Sequence, residues 1–390
     1  MRNAIQNFLL VVVVTIVVLF TVELVFRLFV PNAVIQDDSA KRPLESLIRF
    51  DPILQTRYES NVTVPVKSQY GEFAITYKTN ELGLRDQPLK QETLGRRILV
   101  LGNSFVEGWG VEEEQGIVRV AEIYLNKTAA KPLQIINGGM SGFGVAQSYI
   151  LGRELISMVA PSALVFVYIS TMVQADQSFL RLAEFDSNGY ATGLNPDALL
   201  GPTSSKNTTE PPSNNLFGSL ARHSALASFI VQRLASKAAQ NAIKAGDPDS
   251  DLLAGLRAEK NRLAALHEPS LKHVKAIAEL AKSAGIPFLV IHLPMPHQLS
   301  ESEWAQGRTA YGLERKIYTS DDVFIVARFC AANKINCVAA HSYLTEIVKN
   351  ANNAKRFYYS YDFHPNSAGY EVTGYWMADE FKKHFPNIAK

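Results

Sequence analysis

From Arg97 onward the chain alternates short apolar runs with helical stretches, and this alternation restricts its folds more than any other feature. The runs are 98–101, 133–137, 163–169, 287–293 and 335–339. Each is nearly continuous in apolar residues instead of alternating with polar ones. Strands covered on both faces read this way, because neither side meets water. Helical patterns separate them, around 112–126, 145–159, 252–284 and 321–334, and a last helix is expected from "HPNSAG" to about Phe385. Strand then helix, repeated, predicts a doubly wound α/β domain on a parallel sheet. With 390 residues, 47% of them hydrophobic, the chain has ample material for that core.

The N-terminus follows another rule. Residues 8–22 carry no charge and are rich in Val and Leu; Glu23 and Arg27 then interrupt a run that resumes to Val30. As a helix, 8–30 would reach about 34 Å, enough for a hydrocarbon core of roughly 30 Å. Glu23 and Arg27, four apart, can pair on one face. Pro31 and Asn32 end the run. Residues 6–30 are therefore expected to be a transmembrane signal anchor. A cleaved signal peptide would need a small-x-small site after the run, and no convincing one follows. Basic residues flank both ends, Arg2 before and Arg27, Lys41 and Arg42 after. The positive-inside rule barely decides between orientations; a cytoplasmic N-terminus with the bulk of the chain outside is favoured.

Residues 31–95 form an exposed lead-in in which "VTVPVKS" and "EFAITYKT" read as short strands. The main domain is expected over 96–390, with a variable insertion at about 177–250. The centre of that insertion, "GPTSSKNTTEPPSNN", is polar and Pro-bearing, and "LFGSLARHSALASFIVQRLA" beyond it has helical periodicity. A net charge of +2 and the lack of a basic run argue against a nucleic-acid partner. Cys330 and Cys337 are the two cysteines. They are small buried hydrophobes, or a disulfide if the domain is extracytoplasmic. With six residues between them they lack the close ligand pair of a zinc site.

In an open α/β sheet, ligands gather at the carboxyl ends of the strands. The first strand ends on Gly102, Asn103 and Ser104; the second on "NGGMSGFG"; the third on "YISTMVQAD"; the fourth on "IHLPMPHQ"; and "YDFHPNSAG" follows the fifth. Ser104 alone reads as a helix cap or as a nucleophile. A nucleophilic serine needs a base, and the base an orienting acid. His364, with Asp362 two residues before it, offers both in one loop. Glycines 138, 139, 142 and 144 let a backbone N–H approach a developing oxyanion. His292 and His297, flanking "LPMP", are ordinary loop histidines or substrate contacts at the rim.

These residues resemble the SGNH, or GDSL, hydrolases over about 97–385. "GNSFVEGWGV" is similar to the first block, with Ser104 as nucleophile. "NGGMSGFGVAQ" is similar to the second, with Gly142 as an oxyanion donor. "DFHPNSAG" is similar to the last, with His364 as base. "YKTNELGLR" is similar to the lead-in of membrane-anchored bacterial members. The resemblance implies a flavodoxin-like, three-layer fold with a five-stranded parallel sheet. It also implies ester hydrolysis or acyl transfer without cofactor or metal.

Three departures stand out. Asn103 replaces the usual Asp before the serine. Asp362 lies two residues before His364 instead of three, a spacing similar to that of relatives that acetylate envelope polysaccharides. The third block lacks its Asn; Thr171 is the nearest match for the oxyanion hole, and Gln174 is a second candidate, placed at the substrate rim. Without a third donor the rate would fall on the order of 100-fold or more. The expected function is thus a serine esterase or O-acyl(acetyl)transferase acting on an envelope or exported glycan. The alternative is a catalytically degenerate protein on the same fold that binds glycan or assists its assembly.

Overall fold

The computed structural model describes residues 46–68, 70–196, 260–310, 321–351 and 355–389, with scattered positions between 6 and 21. Those N-terminal positions are helical and expose Leu10, Val11, Val13, Val14, Val17 and Val18. No helix among the described residues is long and apolar enough to cross a membrane. Most of the expected anchor lies outside them, as do residues 31–45, the polar centre of the insertion and the helical pattern at 216–235.

The chain opens with two antiparallel hairpins, β1 (Ile48–Asp51) with β2 (Gln55–Tyr58), and β3 (Thr63–Lys67) with β4 (Ala74–Lys78). Next come β5 (Arg97–Gly102), α1 (Ser104–Glu107), α2 (Ile117–Asn126), β6 (Gln134–Gly139), α3 (Val145–Val159), β7 (Ala163–Tyr168) and α4 (Met172–Leu180). A small hairpin, β8 (Ala183–Phe185) with β9 (Ala191–Leu194), occupies the start of the expected insertion. Then follow α5 (Lys260–Ser283), β10 (Phe288–His292), α6 (Ala305–Ala310), α7 (Asp321–Asn333), β11 (Cys337–Ala339), α8 (His341–Asn350), α9 (Ser367–His384) and α10 (Pro386–Ala389).

Five of these strands form one parallel sheet, in the order β11-β10-β7-β5-β6. Chain order reverses between β5 and β7, so the crevice at the carboxyl end of β5 is the switch point where such folds bind ligands. The expected parallel sheet is present, with its runs trimmed or extended by a residue or two.

Side chains of β5 alternate between two cores. Leu99 and Leu101 join one, with α3 and α5; Ile98 and Val100 join the other, with α2 and α9. All of β5 is buried, which is why its sequence shows no polar alternation. The lead-in is part of this body: Leu47, Leu54, Tyr58, Val66 and Tyr77 are buried in the first core. Cys330, in α7, and Cys337, opening β11, are joined as a disulfide.

Candidate active site

Gly102 ends β5 beside Gly139 of β6, and the chain turns at once into α1. Asn103 caps that helix, its side chain accepting the Phe105 N–H at 3.1 Å. The residue standing where an Asp is usual therefore supplies the same acceptor without the charge. Ser104 is the first helical residue. A Cβ on Gly139 would lie 2.3 Å from the Glu107 nitrogen, so only glycine lets α1 pass this close over the end of β6.

The last block meets Ser104 from the opposite side. His364 Nε2 lies 2.6 Å from Ser104 Oγ, and His364 Nδ1 lies 2.5 Å from Asp362 Oδ1. Asp362 Oδ1 also accepts the His364 backbone N–H at 2.9 Å, which sets the two-residue spacing. The imidazole stacks on Phe363 at 4.4 Å and leans on Phe105 at 4.9 Å, so its ring plane is held. Asp362 Oδ2 accepts from Trp109 Nε1 at 3.0 Å. Burial opposes ionisation of Asp362, but the adjacent His364 and these donors outweigh it and hold the carboxyl below its usual range.

Two further carboxylates fix the surroundings. Glu72, in the turn between β3 and β4, accepts the backbone N–H groups of Ser360, Tyr361 and Asp362 at 2.6, 3.0 and 3.0 Å. Glu107, buried at the end of α1, accepts from Ser141 Oγ at 2.5 Å and from Tyr58 at 2.8 Å, and Tyr77 donates to it as well. Burial raises the Glu107 carboxyl above its ordinary value, against those donors. Ser141 immediately precedes Gly142, so Glu107 ties the second-block loop to the helix that carries Ser104.

Gly142 has φ +79° with open space where a Cβ would be, a backbone state suited to glycine. Its N–H and that of Ser104 donate to no acceptor among the described residues. Thr171 Oγ1 is buried and likewise without a hydrogen-bond partner there. Ser104, Gly142 and Thr171 all line one cleft of about 570 Å³, with Gln174 farther along it. A buried hydroxyl without a partner is uncommon, since leaving one unsatisfied costs about 1–3 kcal/mol.

His292 and His297, which the sequence leaves as loop histidines or rim contacts, do not line the cleft. Both are fully buried. His292 is the last residue of β10, paired with Tyr168 and Ala339 inside the sheet. Its Nε2 lies 3.3 Å from Asp322 Oδ2 of α7, and Ser170 Oγ donates to the same oxygen. Through Ser170 this group holds the residue just before Thr171, two past the end of β7. His297 packs against Trp304 at 6.2 Å. Glu72, Trp109, Glu107 and Gln55 of the cleft wall were missed by the sequence reading. Of these, Glu107 and Trp109 sit inside the first-block motif.

The class that this fold and site define is an α/β protein with a serine, imidazole and carboxylate in series at the sheet's switch point, beside unpartnered donors. No family model matches the chain, and no curated protein does. Among solved structures the chain is similar to a GDSL-like lipase from Bacteroides thetaiotaomicron (17% identity, 76% of this chain and 92% of that one, TM-score 0.34). It is also similar to a catalytic mutant of an acetylxylan esterase from Geobacillus stearothermophilus (10%, 76% and 96%, 0.37). A third is a lipase/acylhydrolase from Enterococcus faecalis (12%, 74% and 96%, 0.34). The residues that resemble the first and last SGNH blocks are the ones the fold brings within hydrogen-bond reach.

Proposed function

We propose that the chain is a serine ester hydrolase or O-acyltransferase, with Ser104 as nucleophile, His364 as base and Asp362 as its orienting acid. The observation that carries this is the unbroken series from Ser104 Oγ to His364 at 2.6 Å and on to Asp362 at 2.5 Å. Ser104 Oγ attacks the ester carbonyl and its proton passes to His364 Nε2. Asp362 holds the tautomer and stabilises the imidazolium. The oxyanion takes the N–H groups of Ser104 and Gly142 and the Thr171 hydroxyl. As the intermediate collapses, His364 returns the proton to the leaving alcohol and an acyl group remains on Ser104. Water, or a sugar hydroxyl activated by His364, then takes that acyl group.

The substrate of this reading is an O-acyl, most simply O-acetyl, ester on an envelope or exported glycan. The neutral amide and hydroxyl side chains of the cleft favour it. The apolar stretch at 6–30 favours tethering to the cytoplasmic membrane with the domain outside, which a reporter fused after Lys390 would check by being active outside the cytoplasm alone. The missing third-block Asn argues for a non-catalytic binder, but the unpartnered Thr171 hydroxyl answers that gap. A fluorophosphonate should label the full chain, and Ser104→Ala should abolish the label. A wild-type chain that neither labels nor cleaves an aryl acetate would refute the enzyme and leave the binder.

A further inference from the structure

Gln55 opens β2 at the mouth of the cleft, and its backbone has φ +72°. That left-handed region suits Gly and Asn; a glutamine there is strained. The strain is held in place from both sides. Asp51 Oδ1 accepts the N–H groups of Ile53 and Leu54 at 2.9 and 2.8 Å, and Gln147 Nε2 donates to the Leu54 carbonyl at 2.9 Å. Leu54 is fully buried beneath the turn. Gln147 itself lines the cleft from α3, so the clamp joins the lead-in to the cleft wall. The Gln55 side chain is exposed and makes no hydrogen bond to a described residue, so it does nothing for the fold that glycine would not do better.

Another part of the lining comes from α4. Thr171, Gln174 and Ser178 recur at helical spacing along one face, from the buried end near Ser104 to the exposed mouth. Among the described residues no lysine or arginine lines the cleft, and Asp362 is the one charged side chain that does. An amide both donates and accepts, as a sugar hydroxyl does. An anionic sugar would find no cation there and would meet the Asp362 charge.

We propose that Gln55, with Ser178 also at the exposed part of the cleft, forms a subsite for an uncharged sugar unit next to the esterified one. This rests on the esterase reading above and narrows its substrate class. The test reads binding, so it does not depend on turnover. An uncharged xylo-oligosaccharide is titrated into the full chain carrying Ser104→Ala, and into the same chain with Gln55→Gly or Gln55→Asn added. Gln55→Gly should weaken binding about five- to tenfold, the loss of one or two hydrogen bonds. Its melting midpoint should stay at or above the parent's, because the strain is relieved. Gln55→Asn, at ease in that backbone state but one methylene shorter, should fall between. An oligogalacturonate of equal length should bind more weakly than the neutral chain. A parent that does not bind the neutral oligosaccharide, or binds it equally after Gln55→Gly, overturns the subsite. Fluorophosphonate labelling of the Gln55→Gly chain with Ser104 intact judges the catalytic reading separately.

Discussion

Glu72 accepts the backbone N–H of Asp362 at 3.0 Å across 290 positions of sequence. The same carboxylate holds the N–H groups of Ser360 and Tyr361, and Tyr70 stacks on Tyr361 at 5.0 Å. The lead-in hairpin therefore sets the loop from which Asp362 and His364 reach Ser104. Burial raises the Glu72 carboxyl against the pull of the three N–H groups, and the nearby Asp362 adds to the rise.

Removing that acceptor should damage turnover more than binding. Glu72→Ala strands three donors, so kcat on an aryl acetate should fall about tenfold or more, with KM little changed. Glu72→Gln keeps an oxygen for the Ser360 and Tyr361 N–H groups but sets an NH2 against that of Asp362, so its rate should fall between those of the wild type and Glu72→Ala. Steady-state kinetics of both variants decide it. Equal kcat in wild type and Glu72→Ala would mean the loop holds itself.

Thr171 carries the second prediction. If its hydroxyl completes the oxyanion hole, Thr171→Val removes one donor at nearly constant volume. Loss of one such donor costs about 3 kcal/mol, or ~100-fold in kcat. Thr171→Ser keeps the hydroxyl and should stay within about tenfold of wild type. A Thr171→Val chain as fast as the wild type would assign the hole to the two backbone donors alone.

Trp109 donates to Asp362 Oδ2 and braces against Phe73 at 5.8 Å. Trp109→Phe keeps much of the packing and removes the donor. The ionised form of Asp362 is then less favoured, so its pKa rises toward the ordinary carboxylate value. Asp362 is hydrogen-bonded to His364, and a less acidic carboxyl there should carry the acid limb of kcat/KM to higher pH. A pH–rate profile of the variant checks the sign; a limb that stays in place, or moves down, contradicts this role for the indole.

The sheet was legible because the interiors of β5, β7 and β10 are buried on both faces and are therefore nearly continuous in apolar residues. Ser104, Asp362 and His364 were legible because a helix start and a short loop place them by local rules. Glu72 was not, since nothing in "QYGEFA" tells which distant N–H groups its carboxylate will meet. Trp109 lies 253 positions from its acceptor and was invisible as a donor for the same reason. Sequence leaves His292 and His297 open between loop histidines and rim contacts because a polar residue at a strand end can face either way; His292 still belongs to β10, and α7 covers it with Asp322. Gln55 escaped notice because backbone strain is a property of φ and leaves no mark in composition.

Asp176 gives a prediction about stability. It lies fully buried in α4, accepts from Ser270 Oγ at 2.5 Å and from the Ala146 N–H at 2.9 Å, and so fastens the first turn of α3 behind the oxyanion loop. Burial, resisted by those donors, raises its carboxyl to about 6. In the unfolded chain it would titrate near 4. Between those values the folded state holds a proton that the unfolded state has lost, so stability falls as pH rises. The contribution is complete below about pH 4 and gone above about 6, and a shift of two units amounts to roughly 3 kcal/mol. Asp176→Asn keeps an acceptor for Ala146 and cannot ionise. Its stability, measured by denaturant titration from pH 4 to 7, should therefore decline less than that of the wild type by up to about 3 kcal/mol. Parallel curves for the two chains would show that Asp176 is ionised in the folded state throughout, with its two donors outweighing burial.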